Sequence, residues 1–116
     1  DARPSANGNS ELDAILNTLR NDFYLRASNT FAEIVQRHLR AFHPGPDRGV
    51  KQAGFRVLVG AFMPAVLVEV AFISDASEAR LLGTSDFQQK VAFALARAVD
   101  EFFATHEHLL VTEPAP

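Results

Sequence analysis

One stretch limits what this chain can become. From Ala65 to Ile73 the residues read Ala-Val-Leu-Val-Glu-Val-Ala-Phe-Ile, apolar and largely β-branched at every position except Glu69. Such a run suits a strand covered on both faces, as in a sheet sandwiched between helices. Ser74 and Asp75 stop it. Phe55, Val57, Leu58 and Val59 predict a second strand, closed by Gly60 and Ala61. The link between the runs, around Met63 and Pro64, is too short for a parallel crossover, so direct pairing of these two would have to be antiparallel. Two strands cannot cover several apolar helix faces, and a central strand needs neighbours for its N–H and C=O groups. The chain therefore reads as the second half of an α/β domain whose first strands lie upstream.

The helical pattern surrounds these runs. Asp1 to Asn9 is rich in Pro, Ser, Asn and Gly and reads as a flexible lead-in. Ser10 with Asp13 resembles a capping box, and Leu12, Ile15, Leu16 and Leu19 follow at helical spacing. A second helical stretch runs from about Ser28 to Phe42, striped by Phe31, Ile34, Val35, His38, Leu39 and Phe42, and ends at Pro44-Gly45-Pro46. Whether the two helices fuse through Phe23, Tyr24 and Leu25 is left open by the pattern. Glu78 to Leu82 predicts one or two helical turns ended by Gly83. Ser85 with Gln88 forms another capping box, and Phe87, Val91, Leu95, Ala98, Val99 and Phe102 stripe a helix over about 86–104. The domain is placed at 10–106, with a frayed tail over 107–116 that ends in Glu-Pro-Ala-Pro.

Composition excludes several classes. A chain of 116 residues is one small domain. Its net charge of −3 argues against a generic nucleic-acid binder, which needs a positive surface. Residues 1–58 carry a net +2 and residues 59–116 a net −5, an asymmetry that a solvated surface explains. No apolar run approaches the ~20 residues of a membrane span. Cysteine is absent, which removes disulfides, thiolate metal sites and a thiol nucleophile. The chain begins at Asp1 without a basic start and apolar core of a signal peptide, and so reads as an internal piece of something longer.

Glu69 is the residue that does not fit its surroundings. A carboxylate in a buried strand is costly unless paired, and ligands of open α/β sheets sit near the carboxyl ends of strands, where Glu69 falls. Desolvation there would raise its pKa toward neutrality, as suits a general base or acid. The plainer alternative is an ion pair with Arg48 or Arg56, without a cleft beside it. Of the histidines, His38 reads as a packed residue on an apolar stripe and His43 as an exposed one before a turn. His106 and His108 on a helix would point about 200° apart, which does not suit a shared metal. No H-E-x-x-H, Walker loop, G-x-S-x-G or G-x-G-x-x-G is present.

Two longer blocks are more specific. Arg48-Gly49-Val50-Lys51-Gln52-Ala53-Gly54-Phe55-Arg56-Val57-Leu58 and Met63-Pro64-Ala65-Val66-Leu67-Val68-Glu69-Val70-Ala71-Phe72-Ile73-Ser74 resemble the C-terminal half of the zinc-dependent N-acetylmuramoyl-L-alanine amidases of bacterial cell walls, the amidase type 3 family. Glu78-Ala79-Arg80-Leu81-Leu82 and Phe87-Gln88-Gln89-Lys90-Val91-Ala92 continue the likeness, which covers roughly 10–104. The resemblance implies an α/β fold, a partial and mostly parallel sheet flanked by helices and distinct from the Ser-hydrolase fold. It implies hydrolysis of the amide between N-acetylmuramic acid and L-alanine in peptidoglycan, in the periplasm or outside the cell. It implies Glu69 as the catalytic carboxylate, with Arg48 and Lys51 bordering the active face, where they could bind the anionic substrate. The family's zinc ligands, two His and one Glu, lie upstream of the part matched, so zinc belongs to the complete enzyme, none is expected on this chain, and the chain alone is expected to be inactive without the missing N-terminal half. A non-catalytic peptidoglycan-binding or regulatory domain of the same fold is the alternative. A structural domain with a fortuitous glutamate is the third reading.

Overall fold

The computed structural model describes the backbone of residues 6–51, 58 and 61–111, and side chains within 8–51, 58 and 61–105. Its regular elements are three helices, α1 (Ala6–Arg40), α2 (Ala76–Leu82) and α3 (Ser85–Val111). The two predicted N-terminal helices are one. No Gly or Pro interrupts the chain between Asn9 and His43, so nothing breaks the i→i−4 ladder between them. At 35 residues α1 is about 50 Å long. Because it begins at Ala6, Ser10 lies inside the helix and is not its cap. Arg37, His38 and Arg40 occupy its last turn, where positive charge favours the helix dipole.

The C-terminal half of α1 packs antiparallel on α3. Phe31 stacks on Phe102 with ring centroids 4.8 Å apart, while Phe42 meets Phe87 edge-on at 6.0 Å. The core consists of Ala27, Ile34, Val35 and Leu39 from α1 with Ala94, Ala98 and Phe102 from α3. Ala98 is completely buried, and its small side chain lets the two helices approach closely. At the margin, Glu101 of α3 takes the guanidinium of Arg37 and, at 3.2 Å, the imidazole of His38. The hydrogen bond from Arg37, and after it that from His38, hold the Glu101 carboxyl below the usual carboxylate range. Leu12, Ile15 and Leu19 in the N-terminal half of α1 are exposed, as is Leu25 just beyond its midpoint.

α2 is short and well capped. Asp75 accepts hydrogen bonds from the backbone N–H groups of Ser77 and Glu78, each at 3.0 Å, and from the Ser77 hydroxyl at 2.6 Å. Its carboxyl is lowered by that hydroxyl first and by the Glu78 N–H next. Gly83 closes the helix. The cap of α3 is Thr84, one residue earlier than the sequence suggests. Its hydroxyl accepts from the Phe87 N–H at 3.4 Å, while Gln88 donates to the carbonyl of Leu82 at 2.7 Å.

The expected sheet is not found among the described residues. Among the described residues there is no strand, so the α/β architecture with a mostly parallel sheet is corrected to an all-helical one. A strand is defined by its ladder, and among the described residues nothing runs beside 65–73 to pair with it. The segment lies on α1 instead, with Val68 half-buried against the helical core. It keeps a two-residue period from 66 to 70, where Val66, Val68 and Val70 are half-buried and Leu67 and Glu69 exposed. The other predicted strand, 55–59, falls almost wholly outside the described residues.

Candidate active site

Between α1 and the 65–72 segment lies a groove of about 570 Å³. Glu69, Arg48 and Lys51, the three residues singled out from the sequence, all line it. α1 contributes Asn29, Gln36 and Arg40 to the wall, and Val35, Leu39, Val66 and Val68 make it partly apolar. An apolar cleft with a few polar groups is the usual form of a small-molecule or peptide site.

Glu69 stands at an exposed position of the segment, not in a buried strand. Losing the sheet removes the cover that the sequence predicted for it. Among the described residues Glu69 has no ion-pair partner, and Arg48 is engaged elsewhere. Arg56 lies outside the described residues.

Arg48 is held by a buried carboxylate. Its two terminal nitrogens donate to Glu78 at 3.2 and 3.5 Å, and its guanidinium lies over the Phe72 ring at 4.2 Å. Glu78 is only 3% exposed, the one buried charged residue among those described. Sequence reasoning read Glu78 as a helix-turn residue. Its role was hidden because its partner lies 30 positions away. The loop that presents Arg48 is shaped by Asp47, whose carboxylate accepts from the Gly49 N–H at 2.8 Å and pairs with Arg40 at 2.7 Å. Gly49 sits at φ 73°, a left-handed conformation that glycine adopts without strain. Lys51 is exposed at the groove edge.

His43 departs from its expected exposure. It is half-buried, accepts the Gly45 N–H on Nδ1 at 2.8 Å, and places Nε2 2.8 Å from the Val70 carbonyl. Its ring meets Phe87 edge-on at 5.4 Å. Gly45 is packed so closely that a Cβ there would lie 2.8 Å from His43 Cε1 and 3.0 Å from a Glu78 oxygen.

A zinc ion does not fit this residue set. Among the described residues no three His, Cys, Asp or Glu side chains gather as a metal would require. Both ring nitrogens of His43 are engaged, and His38 is turned to Glu101. The side chains of His106 and His108 lie outside the described residues.

The sequence profile of the N-acetylmuramoyl-L-alanine amidase family matches residues 6–101. The chain belongs to this family. It is similar to the N-acetylmuramoyl-L-alanine amidase AmiA of Escherichia coli (strain K12), 38% identical over 79 residues, covering 68% of this chain and 27% of AmiA. The likeness to N-acetylmuramoyl-L-alanine amidase AmiC of Escherichia coli O6:H1 (strain CFT073) is 33% over 100 residues, covering 86% of this chain and 24% of AmiC. The uncharacterized protein YqiI of Bacillus subtilis (strain 168) is 34% identical over 84 residues, covering 72% of this chain and 41% of YqiI. The chain thus spans less than half the length of these relatives. No solved structure matches it. Among the described residues, no helix is long and apolar enough to cross a membrane.

Proposed function

We propose that this chain is the C-terminal part of a cell-wall hydrolase that cleaves the amide between N-acetylmuramic acid and L-alanine of peptidoglycan, with Glu69 as the carboxylate that moves the proton. The observation that carries this reading is the position of Glu69: no described residue neutralises it, and it opens on a groove that also holds Arg48 and Lys51. Family membership and the amidase names of several relatives support the same reaction class.

The chemistry follows from the groups present. Amide hydrolysis needs a proton taken from the attacking water and a proton given to the amine, which leaves badly as an anion. One carboxylate can do both in turn, and general acid–base catalysis of this kind contributes roughly 10²–10⁴-fold. Arg48 and Lys51 offer positive charge to the carboxylates of a stem peptide or of muramic acid. Arg48 is oriented for this by Glu78 below it and Phe72 against its face. Zinc is a requirement of the complete enzyme in this reading, and no described residue of this chain is assigned to hold it. Alone, the chain is inactive. Its place of work is the peptidoglycan, in the periplasm or outside the cell.

Glu69→Gln in the intact protein tests this. The expected result is a fall in kcat of about 100-fold or more on purified peptidoglycan, with zinc content and peptidoglycan binding unchanged. Turnover within about tenfold of the parent would remove Glu69 from the reaction and favour a non-catalytic peptidoglycan-binding or regulatory role.

A further inference from the structure

Among the described residues, segment 64–71 is tied to the rest of the chain by two hydrogen bonds, and they bracket Glu69. The Ala65 N–H donates to the Ser28 hydroxyl of α1 at 2.8 Å. The Val70 carbonyl, on the residue that follows Glu69, faces His43 Nε2 at 2.8 Å. The His43 tautomer is assigned by its partners. Nδ1 takes the Gly45 N–H and so carries no proton of its own, which leaves the proton of the neutral ring on Nε2. A carbonyl can only accept, so Nε2–H donates to Val70. The ring cannot swing freely, because Phe87 meets it edge-on and the Gly45 N–H is bonded to Nδ1. The backbone on which it stands is fixed as well: the His43 N–H donates to the Leu39 carbonyl at 3.0 Å, in the last turn of α1.

From this geometry we infer that His43 is a positioning residue: it clamps the Val70 carbonyl to the end of α1 and so sets where the Glu69 carboxylate stands in the groove. The inference rests on the catalytic reading of Glu69. Among the described residues no ladder fixes the register of this segment, so each of the two bonds carries weight in placing it. A carboxylate that must meet both a water and a leaving amine tolerates little displacement, since a 1 Å error can cost ~100-fold in rate.

Three substitutions in the intact protein separate the parts of the clamp. His43→Phe keeps the ring packing on Phe87 and loses both hydrogen bonds. His43→Asn keeps an acceptor for the Gly45 N–H but is too short for Val70. His43→Gln carries an amide N–H close to the position of Nε2. Two quantities are measured: kcat and KM on peptidoglycan fragments, and amide hydrogen exchange by mass spectrometry over 66–72, with α3 as the folding control. The expected result for His43→Phe and His43→Asn is a kcat loss of about 10- to 100-fold with KM within about threefold. Exchange over 66–72 should rise about tenfold in both while α3 stays unchanged. His43→Gln should recover kcat to within about threefold. The inference is overturned if His43→Asn or His43→Phe keeps parental kcat, if His43→Gln falls as far as they do, or if exchange over 66–72 does not change. Glu69→Gln is assayed beside them. If it retains turnover, the catalytic reading fails and the positioning role fails with it. If it abolishes turnover while His43→Asn does not, only the positioning role fails.

Discussion

Glu78 and Arg48 form a one-sided ion pair: the carboxylate side chain is 4% exposed and the guanidinium side chain 43%. Arg48 can turn to water if its partner is removed, but Glu78 cannot. The two single truncations should therefore differ. Arg48→Met strands a buried carboxylate and should cost about 2 kcal/mol, below the ~3–5 of a fully buried pair because water reaches one partner. Glu78→Gln should cost less than about 1 kcal/mol. Urea unfolding of both variants checks the order, and equal costs would show that Glu78 reaches solvent by another path.

The α1–α3 contact should resist change of volume in either direction. Phe102→Ala removes a buried ring stacked on Phe31 and should destabilise by ~3–5 kcal/mol. Ala98→Leu inserts bulk where Ala98 has no exposed surface and should cost ~1–3 kcal/mol by forcing the helices apart. Chemical denaturation measures both. A neutral Ala98→Leu would mean that the helix pair is loosely packed.

Acid should loosen the same pair of helices. The Glu101 carboxyl is lowered in the folded chain, chiefly by the hydrogen bond from Arg37. Its contribution is therefore fully present above the unfolded carboxyl value of roughly 4.3 and is lost as pH falls through the lower folded value. Melting temperature followed from pH 7 to pH 3 should fall most steeply below about 4, and Glu101→Gln should flatten that part of the curve. An unchanged slope in the variant would assign the acid sensitivity to other carboxylates.

The Asp75 cap gives a smaller, local effect. Asp75→Ala removes the acceptor for two backbone N–H groups at the start of α2 and should lower the melting temperature by a few degrees. Asp75→Asn should recover most of the loss, because its side-chain carbonyl still accepts. Identical melting of the alanine variant and the parent would show that water caps the helix as well as Asp75 does.

Helices were legible in the sequence because their signal is local. The stripes of Phe31 to Phe42 and Phe87 to Phe102 name most of the buried faces: Phe31, Ile34, Val35, Leu39 and Phe42, with Val91, Leu95, Ala98 and Phe102, lie in the observed core or against it, whereas Val99 is exposed. Ends were less legible: the helix starts before Ser10, and the cap of α3 shifts to Thr84, since nearby residues offer equivalent caps. The run from Ala65 to Ile73 misled in a physical way. Apolar, β-branched residues report a preference for extended backbone, but a strand also requires neighbours, and a sequence pattern carries no record of whether they are present. Glu69, Arg48 and Lys51 line one groove, and Glu69 lacks the cover that the sequence pattern predicts for it. Glu78 and His43 were missed because their contacts, to Arg48 and to Val70, are made across 30 and 27 positions.

Gly45 has a consequence for how this chain can vary. With the imidazole 2.8 Å and a carboxylate oxygen 3.0 Å from where a methyl would begin, even alanine would push two unrelated anchors aside at once. Any larger residue at this bend after α1 would have to displace both side chains, whereas Pro44 and Pro46 on either side are exposed. Missing volume at one backbone atom is what lets a helix end, a loop and a distant glutamate share the same few ångströms.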